Sequence, residues 1–528
     1  MSNSSVVYLS MRMWNEKQPT IWKKTCYQPV KNWLSVEKAG TRGDDVVSSN
    51  SNIDLSIIIL IVNIILAFIV IFLSRRNPSA TWAWVLVLMF VPIVGFILYL
   101  FLGQDLRKTK LFSRKEDEDI KKLESRYQKL LTEESRGDID PAVKKDKDLI
   151  RLHLQNADAI FTHNNRIQIL ENGQEKFPVL IKALKAAKQH IHMEYYIIRN
   201  DEIGREVRDI LASRAREGVE VRLLYDGMGC LHLRRSFFKP IIEAGGEVAV
   251  FYPPFLPYVN IRLNYRNHRK ITVIDGKQAF IGGLNLGDEY MGRSARYGFW
   301  RDTHFRIEGS AVDFLQLWFI SDWEFASKTD LPFCDKYFPK KEIAGSAGIQ
   351  IVPSGPDSKW ASIHQGYFKM IVNAEKNIYI QTAYFIPDDS LSEALRTAAL
   401  GGVDVRIMIP GKKDHPFVHW ASTSYLSDLL DSGVKAYIYN YDRFMHTKAV
   451  MVDGRIASVG SANFDIRSFQ YNFEINAVVY DPATVSQLEQ QFREDMEQCT
   501  ELTRELYDSR NLFVRIRESV SRLISPLL

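Results

Sequence analysis

Two stretches of this chain carry side chains that could act together on a phosphate ester. One is His268-Arg269-Lys270 with Asp275 and Gly282-Gly283-Leu284-Asn285; the other is His446-Thr447-Lys448 with Asp453 and Gly460-Ser461-Ala462-Asn463. The His–Lys, Lys–Asp, Asp–Gly and Gly–Asn gaps are the same in both. Agreement at so many positions arises by chance on the order of once in a million starts, so the doubled pattern is a repeat. Alternate residues of an extended strand point to one side, which sets His268 beside Lys270 and His446 beside Lys448. An ammonium group neutralises a phosphoryl oxygen, while imidazole can attack phosphorus or carry a proton. Asn285 and Asn463 add amide donors, and the glycines before them let the backbone come close. A His and a Lys on one strand are usually surface residues. Two copies in two similar halves point instead to one composite site, to which each half gives a His, a Lys and an Asn.

The flanking elements repeat as well. The alternating runs His190 to Tyr196 and Asn377 to Phe385 read as strands. Each is followed by a helical stretch and a second strand, Gly218 to Leu224 or Gly402 to Met408. A glycine-led third strand comes next, at Gly245 to Val248 or Gly433 to Ala436. Strands alternating with helices predict an α/β fold with two homologous domains, 149–345 and 346–500. The boundary is expected near Ser346, ahead of the Pro353-Ser354-Gly355-Pro356 turn.

Before the repeats lie segments of other character. Residues 1–52 form a polar extension without a motif. Leu55 to Leu73 and Trp82 to Leu102 are apolar runs, each near the ~20 residues that span a bilayer as a helix. Residues 53–103 are therefore expected to be a two-helix transmembrane hairpin, with Trp82, Trp84 and Tyr99 near the interfaces. Arg107, Lys108, Lys110, Arg114 and Lys115 follow it, against Arg75 and Arg76 in the loop, which places the catalytic body on the cytoplasmic side. Residues 104–148 read as a charged, solvated linker. At the other end, 501–528 is an amphipathic helix, with Leu512, Phe513, Ile516, Val520, Leu523, Ile524 and Leu527 on one face. It could lie in the membrane interface, but docking on the body is the expected arrangement.

Composition agrees with a folded multidomain protein: 528 residues, 46% hydrophobic and 25% charged. The net charge of +5 is a mild basic excess, short of the basic face that nucleic-acid binding would demand. Cys26, Cys230, Cys334 and Cys499 are far apart, with no zinc spacing and no disulfide framework.

The pattern HxKxxxxD followed by GGxN or GSxN, in duplicate, resembles the phospholipase D superfamily, and within it the bacterial cardiolipin synthase family. Further agreements are Arg75-Arg76-Asn77-Pro78, Trp82-Ala83-Trp84, Met193-Glu194-Tyr195-Tyr196, Trp300-Arg301-Asp302-Thr303-His304, Ser354-Gly355-Pro356-Asp357 and Tyr384-Phe385-Ile386-Pro387. Ala383 departs from it, since the family tends to have Pro there. The resemblance implies two-step displacement at a phosphodiester without metal or cofactor. His268 would form a phosphohistidine and His446 would move protons, although the two roles could be exchanged. Lys270, Lys448, Asn285 and Asn463 would hold the phosphoryl oxygens. It also implies a carboxylate for each histidine, and points to Asp302 and Glu474. Asp275 and Asp453 belong to the catalytic motif, yet their own role is expected to be bracing a loop. The implied substrate is phosphatidylglycerol or another anionic phospholipid, with cardiolipin and glycerol as products at a bacterial membrane. A hydrolytic phospholipase D, a transferase with another acceptor and a membrane-tethered nuclease are the alternatives. No nucleic-acid partner is expected, and the sequence sets no oligomeric state.

Overall fold

The structure is a computed structural model describing residues 61–62, 64–68, 78–91, 95–96, 99, 145–253, 265–341 and 344–525. The extension 1–52, the linker as far as residue 144 and parts of both apolar runs lie outside the described residues. Pro78–Phe90 is a helix of 13 residues with proline at its first position, where its missing N–H costs nothing. Leu88 and Tyr99 pack with Trp84 and Phe96, while Trp82, Met89 and Phe90 are exposed. Among the described residues no helix is long and apolar enough to cross a membrane.

The repeat is visible strand by strand. The first half holds β1 (Thr162–Glu171), β2 (His190–Tyr195), β3 (Glu220–Asp226), β4 (Glu247–Phe251), β5 (Lys270–Ile274), β6 (Gln278–Gly282) and β7 (Thr303–Glu308). The second holds β8 (Ala347–Ser354), β9 (Asn377–Thr382), β10 (Asp404–Pro410), β11 (Lys435–Tyr439), β12 (Lys448–Val452), β13 (Ile456–Gly460) and β14 (Asn472–Val479), with the short β15 (Cys499–Glu501) at its edge. Both halves have one order, β1-β7-β6-β5-β2-β3-β4 and β8-β14-β13-β12-β9-β10-β11. The two sheets are continuous, because β1 pairs antiparallel with β8 (Thr162 opposite Ile349, Asn165 opposite Ala347).

Alternation in β2 marks two buried faces, not one wet and one dry. Ile191, Met193 and Tyr195 enter a core with Phe177, Leu180, Val207 and Leu211. His190, His192 and Glu194 lie on the other face and are equally buried. The side-chain amide of Gln316 spans the two histidines there, 2.7 Å from His192 and 3.2 Å from His190. Gln316 belongs to the helix Ala311–Ser327, whose composition is apolar nearly all round, as befits a helix packed inside a protein. A central core joins this helix to both halves through Phe305, Phe319, Ile349, Met451, Phe473 and Phe492.

Two further helices pack on the second half. The helix Lys147–Ala157 precedes the first half but packs on the second, where Gly366 leaves room for the ring of His153. Ser362 Oγ donates to the carbonyl of Asn156 at 2.8 Å. The tail helix, Leu512–Ile524, packs against Pro416–Leu430, yet it buries Glu518 and Ser521 and not its apolar stripe.

Candidate active site

His268 and His446 stand two residues ahead of β5 and β12, each held by the opposite half of the protein. Arg266–Asn267 pairs with Asn472–Phe473, and the His268 N–H donates to the Phe473 carbonyl at 2.9 Å. Phe444–Met445 pairs in the same way with Trp300–Arg301, and the His446 N–H donates to the Arg301 carbonyl at 2.7 Å. The next residue along each supporting strand is a carboxylate. Glu474 therefore meets His268, with both oxygens 3.0 Å from Nδ1. Asp302 meets His446, with Oδ2 2.9 Å from Nδ1. Each half thus supplies the carboxylate for the other half's histidine, and both carboxylates are fully buried.

The glycines of the motif let the strand that carries each carboxylate come close. A Cβ on Gly283 would lie 2.2 Å from Asp302 Oδ1, and one on Gly460 would lie 2.3 Å from the Ile475 carbonyl. The side chains between them complete the buried cluster. Lys270 donates to the His268 carbonyl. Lys448 donates to the His446 carbonyl, and its Nζ is 2.7 Å from His446 Nδ1. That nitrogen can serve only one neighbour: when it donates to Asp302, the ammonium is left with the carbonyl. Asn285 accepts from the Ile197 N–H and donates to the Tyr290 hydroxyl at 3.2 Å. Among the described residues, the buried Asn463 Oδ1 has no hydrogen-bond partner.

Burial is the main influence on the charges here. It pushes both His268 and His446 down to about 4; Glu474 and Asp302 oppose the shift, while the nearby lysines deepen it. Burial likewise lowers Lys270 to about 7 and Lys448 to about 8, against the pull of Glu474 and Asp302. Burial also raises the Glu474 carboxyl, but His268 and Lys270 outweigh it and hold the group below its ordinary value. Both imidazoles are therefore neutral at neutral pH. A neutral ring that gives its Nδ1 proton to a carboxylate presents a lone pair at Nε2. This arrangement can attack an electrophile and shuttle a proton, with two ammonium groups at hand for an anion.

Asp275 and Asp453 do not belong with the reacting groups. They sit at the far ends of β5 and β12 from the histidines, in Asp-Gly turns with positive φ at both residues. Asp275 accepts the N–H groups of Lys188, Gln189 and His190, and Asp453 those of Glu375, Lys376 and Asn377. Each carboxylate thereby ties a turn to the start of β2 or β9. The contacts these two motif aspartates make are with backbone turns, at the end of each strand away from its histidine.

Several residues around the site were not singled out from the sequence. The Tyr196 ring is 4.9 Å from that of His268, and Trp300 is 5.1 Å from His446. Asp414 accepts the hydroxyls of Tyr297 and Tyr384 at 2.8 and 2.9 Å. Lys176 is fully buried, 3.5 Å from the Asn285 carbonyl and over the rings of Phe177 and Tyr195. Tyr196, Trp300 and Tyr384 stand inside the stretches quoted for the resemblance, which was a usable signal. Asp414 and Lys176 carried none, since each reads as an ordinary surface charge.

The family described as "Cardiolipin synthase, PLD-like domain" matches residues 180–308 and 367–496, one match in each half. "Phospholipase D-nuclease N-terminal" matches residues 61–104. The chain is 49% identical to "Major cardiolipin synthase ClsA" of Bacillus subtilis, over 89% of this chain and 98% of that one. It is 48% identical to a cardiolipin synthase of Listeria innocua, over 90% and 99% of the respective chains. Its fold is that of the crystal structure of phosphatidylserine synthase from Haemophilus influenzae, with a TM-score of 0.56 at 16% identity, covering 74% of this chain and 100% of that one. Identity of this extent, spanning nearly the full length of the relatives and both motif-bearing halves, places the chain in the cardiolipin synthase family of the phospholipase D superfamily.

Proposed function

We propose that the protein transfers a phosphatidyl group from one phosphatidylglycerol to the glycerol hydroxyl of another, giving cardiolipin and free glycerol. The crossed His–carboxylate pairs carry this reading, because they supply two imidazoles with fixed tautomers at one anion-binding site. His268 Nε2 attacks phosphorus while the P–O bond to glycerol breaks, and His446 protonates the departing oxygen. His446 then takes the proton from the hydroxyl of the second lipid, whose oxygen displaces His268 and restores the enzyme. The incoming phosphodiester is anionic, so its charge raises the His446 pKa and favours the protonated form that the first step needs. Glu474 balances the positive charge that develops on His268. Lys270, Lys448, Asn285 and Asn463 hold the non-bridging oxygens as charge grows on them.

The lipid substrate accords with a membrane hairpin at 53–103, facing its catalytic body to the cytoplasm. Its support is the two apolar runs, the family match at 61–104 and the outward apolar side chains of Ile64, Phe68, Trp82 and Phe90. The test is lipid product analysis of purified protein in phosphatidylglycerol vesicles with chelator, beside His446→Ala. Cardiolipin and glycerol from the parent protein alone are expected. Phosphatidic acid in their place would make water the acceptor, and no turnover by folded protein would overturn the lipid assignment.

A further inference from the structure

The tail helix is mounted with its polar side inward. At 3.6 residues per turn, Leu512, Phe513, Ile516, Val520 and Leu523 fall within an arc of about 100°. All five are exposed, Leu523 at 82% and Phe513 at 74%. The opposite side does the docking. Glu518 meets Arg510 and accepts from the Tyr507 hydroxyl at 3.1 Å. Arg522 pairs with Asp428 and lies over the ring of Tyr425, whose hydroxyl is 3.0 Å from Ser525 Oγ. Polar contacts thus attach the helix to the body, and its apolar stripe is left to meet something else.

We infer that this stripe is a membrane-docking surface whose occupant is an anionic lipid bilayer; the inference rests on the lipid substrate proposed above. Charge complementarity is the first argument. Arg515 and Arg517 are exposed on either side of the stripe, Arg515 3.3 Å from Asp508, while Arg522 is held by Asp428 on the docking side. An amphipathic helix with this pattern lies in the interface plane, apolar side down and cations at the headgroups.

Continuity with the site is the second. The Arg517 guanidinium lies 5.4 Å from the ring of Trp420, which packs edge-on against the exposed Phe417. Both rings stand at the start of the helix Pro416–Leu430. A cleft at that same end is lined by Tyr384, Lys412, Asp414, His415, His419 and Phe444. Phe444 packs beside His446, with ring centres 5.9 Å apart. A bilayer seated on the tail helix therefore also meets a cleft whose wall residue Phe444 packs against His446, near where a lipid headgroup has to arrive.

The experiment places the photoreactive residue p-benzoylphenylalanine at Ile516 or Leu523 of the full chain, reconstituted in phosphatidylglycerol vesicles. Mass spectrometry after irradiation is expected to find lipid adducts at both positions. A companion variant, Phe513→Ser/Ile516→Ser/Leu523→Ser, alters only exposed side chains. It is expected to lose activity severalfold on phosphatidylglycerol in bilayers and to keep it on the same lipid in detergent micelles. Adducts between two protein copies, in place of lipid adducts, would overturn the inference in favour of a second chain as occupant. Cardiolipin formation without any lipid adduct would also overturn it while leaving the catalytic reading intact. Lipid adducts without cardiolipin would do the reverse.

Discussion

Exchanging each buried carboxylate for its amide separates the effect of charge from that of tautomer, because the two histidine pairs differ in geometry. In Asp302→Asn, the Thr303 N–H donates at 2.8 Å to the oxygen that does not face His446. An amide NH2 cannot accept there, so the carbonyl oxygen must occupy that position. The NH2 then points at His446 Nδ1 from the Oδ2 site, 2.9 Å away, and the ring must accept. Its proton moves to Nε2, the atom that has to take the proton of the acceptor alcohol. In Glu474→Gln the constraint has the opposite consequence. Asn472 Nδ2 donates at 3.0 Å to Oε1, which keeps the carbonyl oxygen at that site. The same oxygen is 3.0 Å from His268 Nδ1, so the tautomer survives and only the negative charge is lost. Replacing a charge-assisted hydrogen bond by a neutral one costs about 1–2 kcal/mol, or roughly 5- to 30-fold in rate. The analogous aspartate-to-asparagine exchange behind a catalytic histidine, which leaves the wrong tautomer, costs on the order of 10⁴-fold. Initial rates of cardiolipin formation on phosphatidylglycerol vesicles, with thermal melts to confirm folding, should therefore rank Asp302→Asn far below Glu474→Gln. A Glu474→Gln enzyme as slow as Asp302→Asn refutes the tautomer argument.

Alkaline quenching of turnover with lipid labelled at phosphorus should leave the label on the peptide containing His268; label on the His446 peptide would exchange the two roles. Lys270 and Lys448, lowered to about 7 and 8, are charged below those values and neutral above them, while the lipid phosphodiester stays anionic throughout. The KM for phosphatidylglycerol should thus rise as pH climbs through 7 to 8, and a flat KM up to pH 9 would contradict the phosphate-holding role. Asp453→Ala removes the acceptor for three backbone amides and Arg455, which should cost roughly 2–4 kcal/mol of stability with turnover per folded molecule retained. Unchanged melting with collapsed turnover would return Asp453 to the chemistry.

The parts of this site that were legible in the sequence are those that local geometry decides. The spacing of His268 and Lys270 along one strand needs no tertiary information, and repeating it at His446 and Lys448 announces two halves with one purpose. The glycines before Asn285 and Asn463 were readable as points of close approach, and the approaching groups are Asp302 beside Gly283 and the Ile475 carbonyl beside Gly460. What could not be read is which carboxylate serves which histidine. That depends on Arg266–Asn267 pairing with Asn472–Phe473, about two hundred residues away in sequence, and no local pattern encodes it. The continuous sheet was hidden for the same reason, since β1 and β8 are each compatible with a separate domain until they pair. The tail helix misled in a different way. An apolar stripe usually marks the side that packs, but here the polar side faces inward: Glu518 is buried against Arg510 within the tail, while Arg522 and Ser525 bond Asp428 and Tyr425 of Pro416–Leu430. A stripe predicts that something apolar will cover it; only the partners of Glu518 and Arg522 reveal that the body of the protein does not.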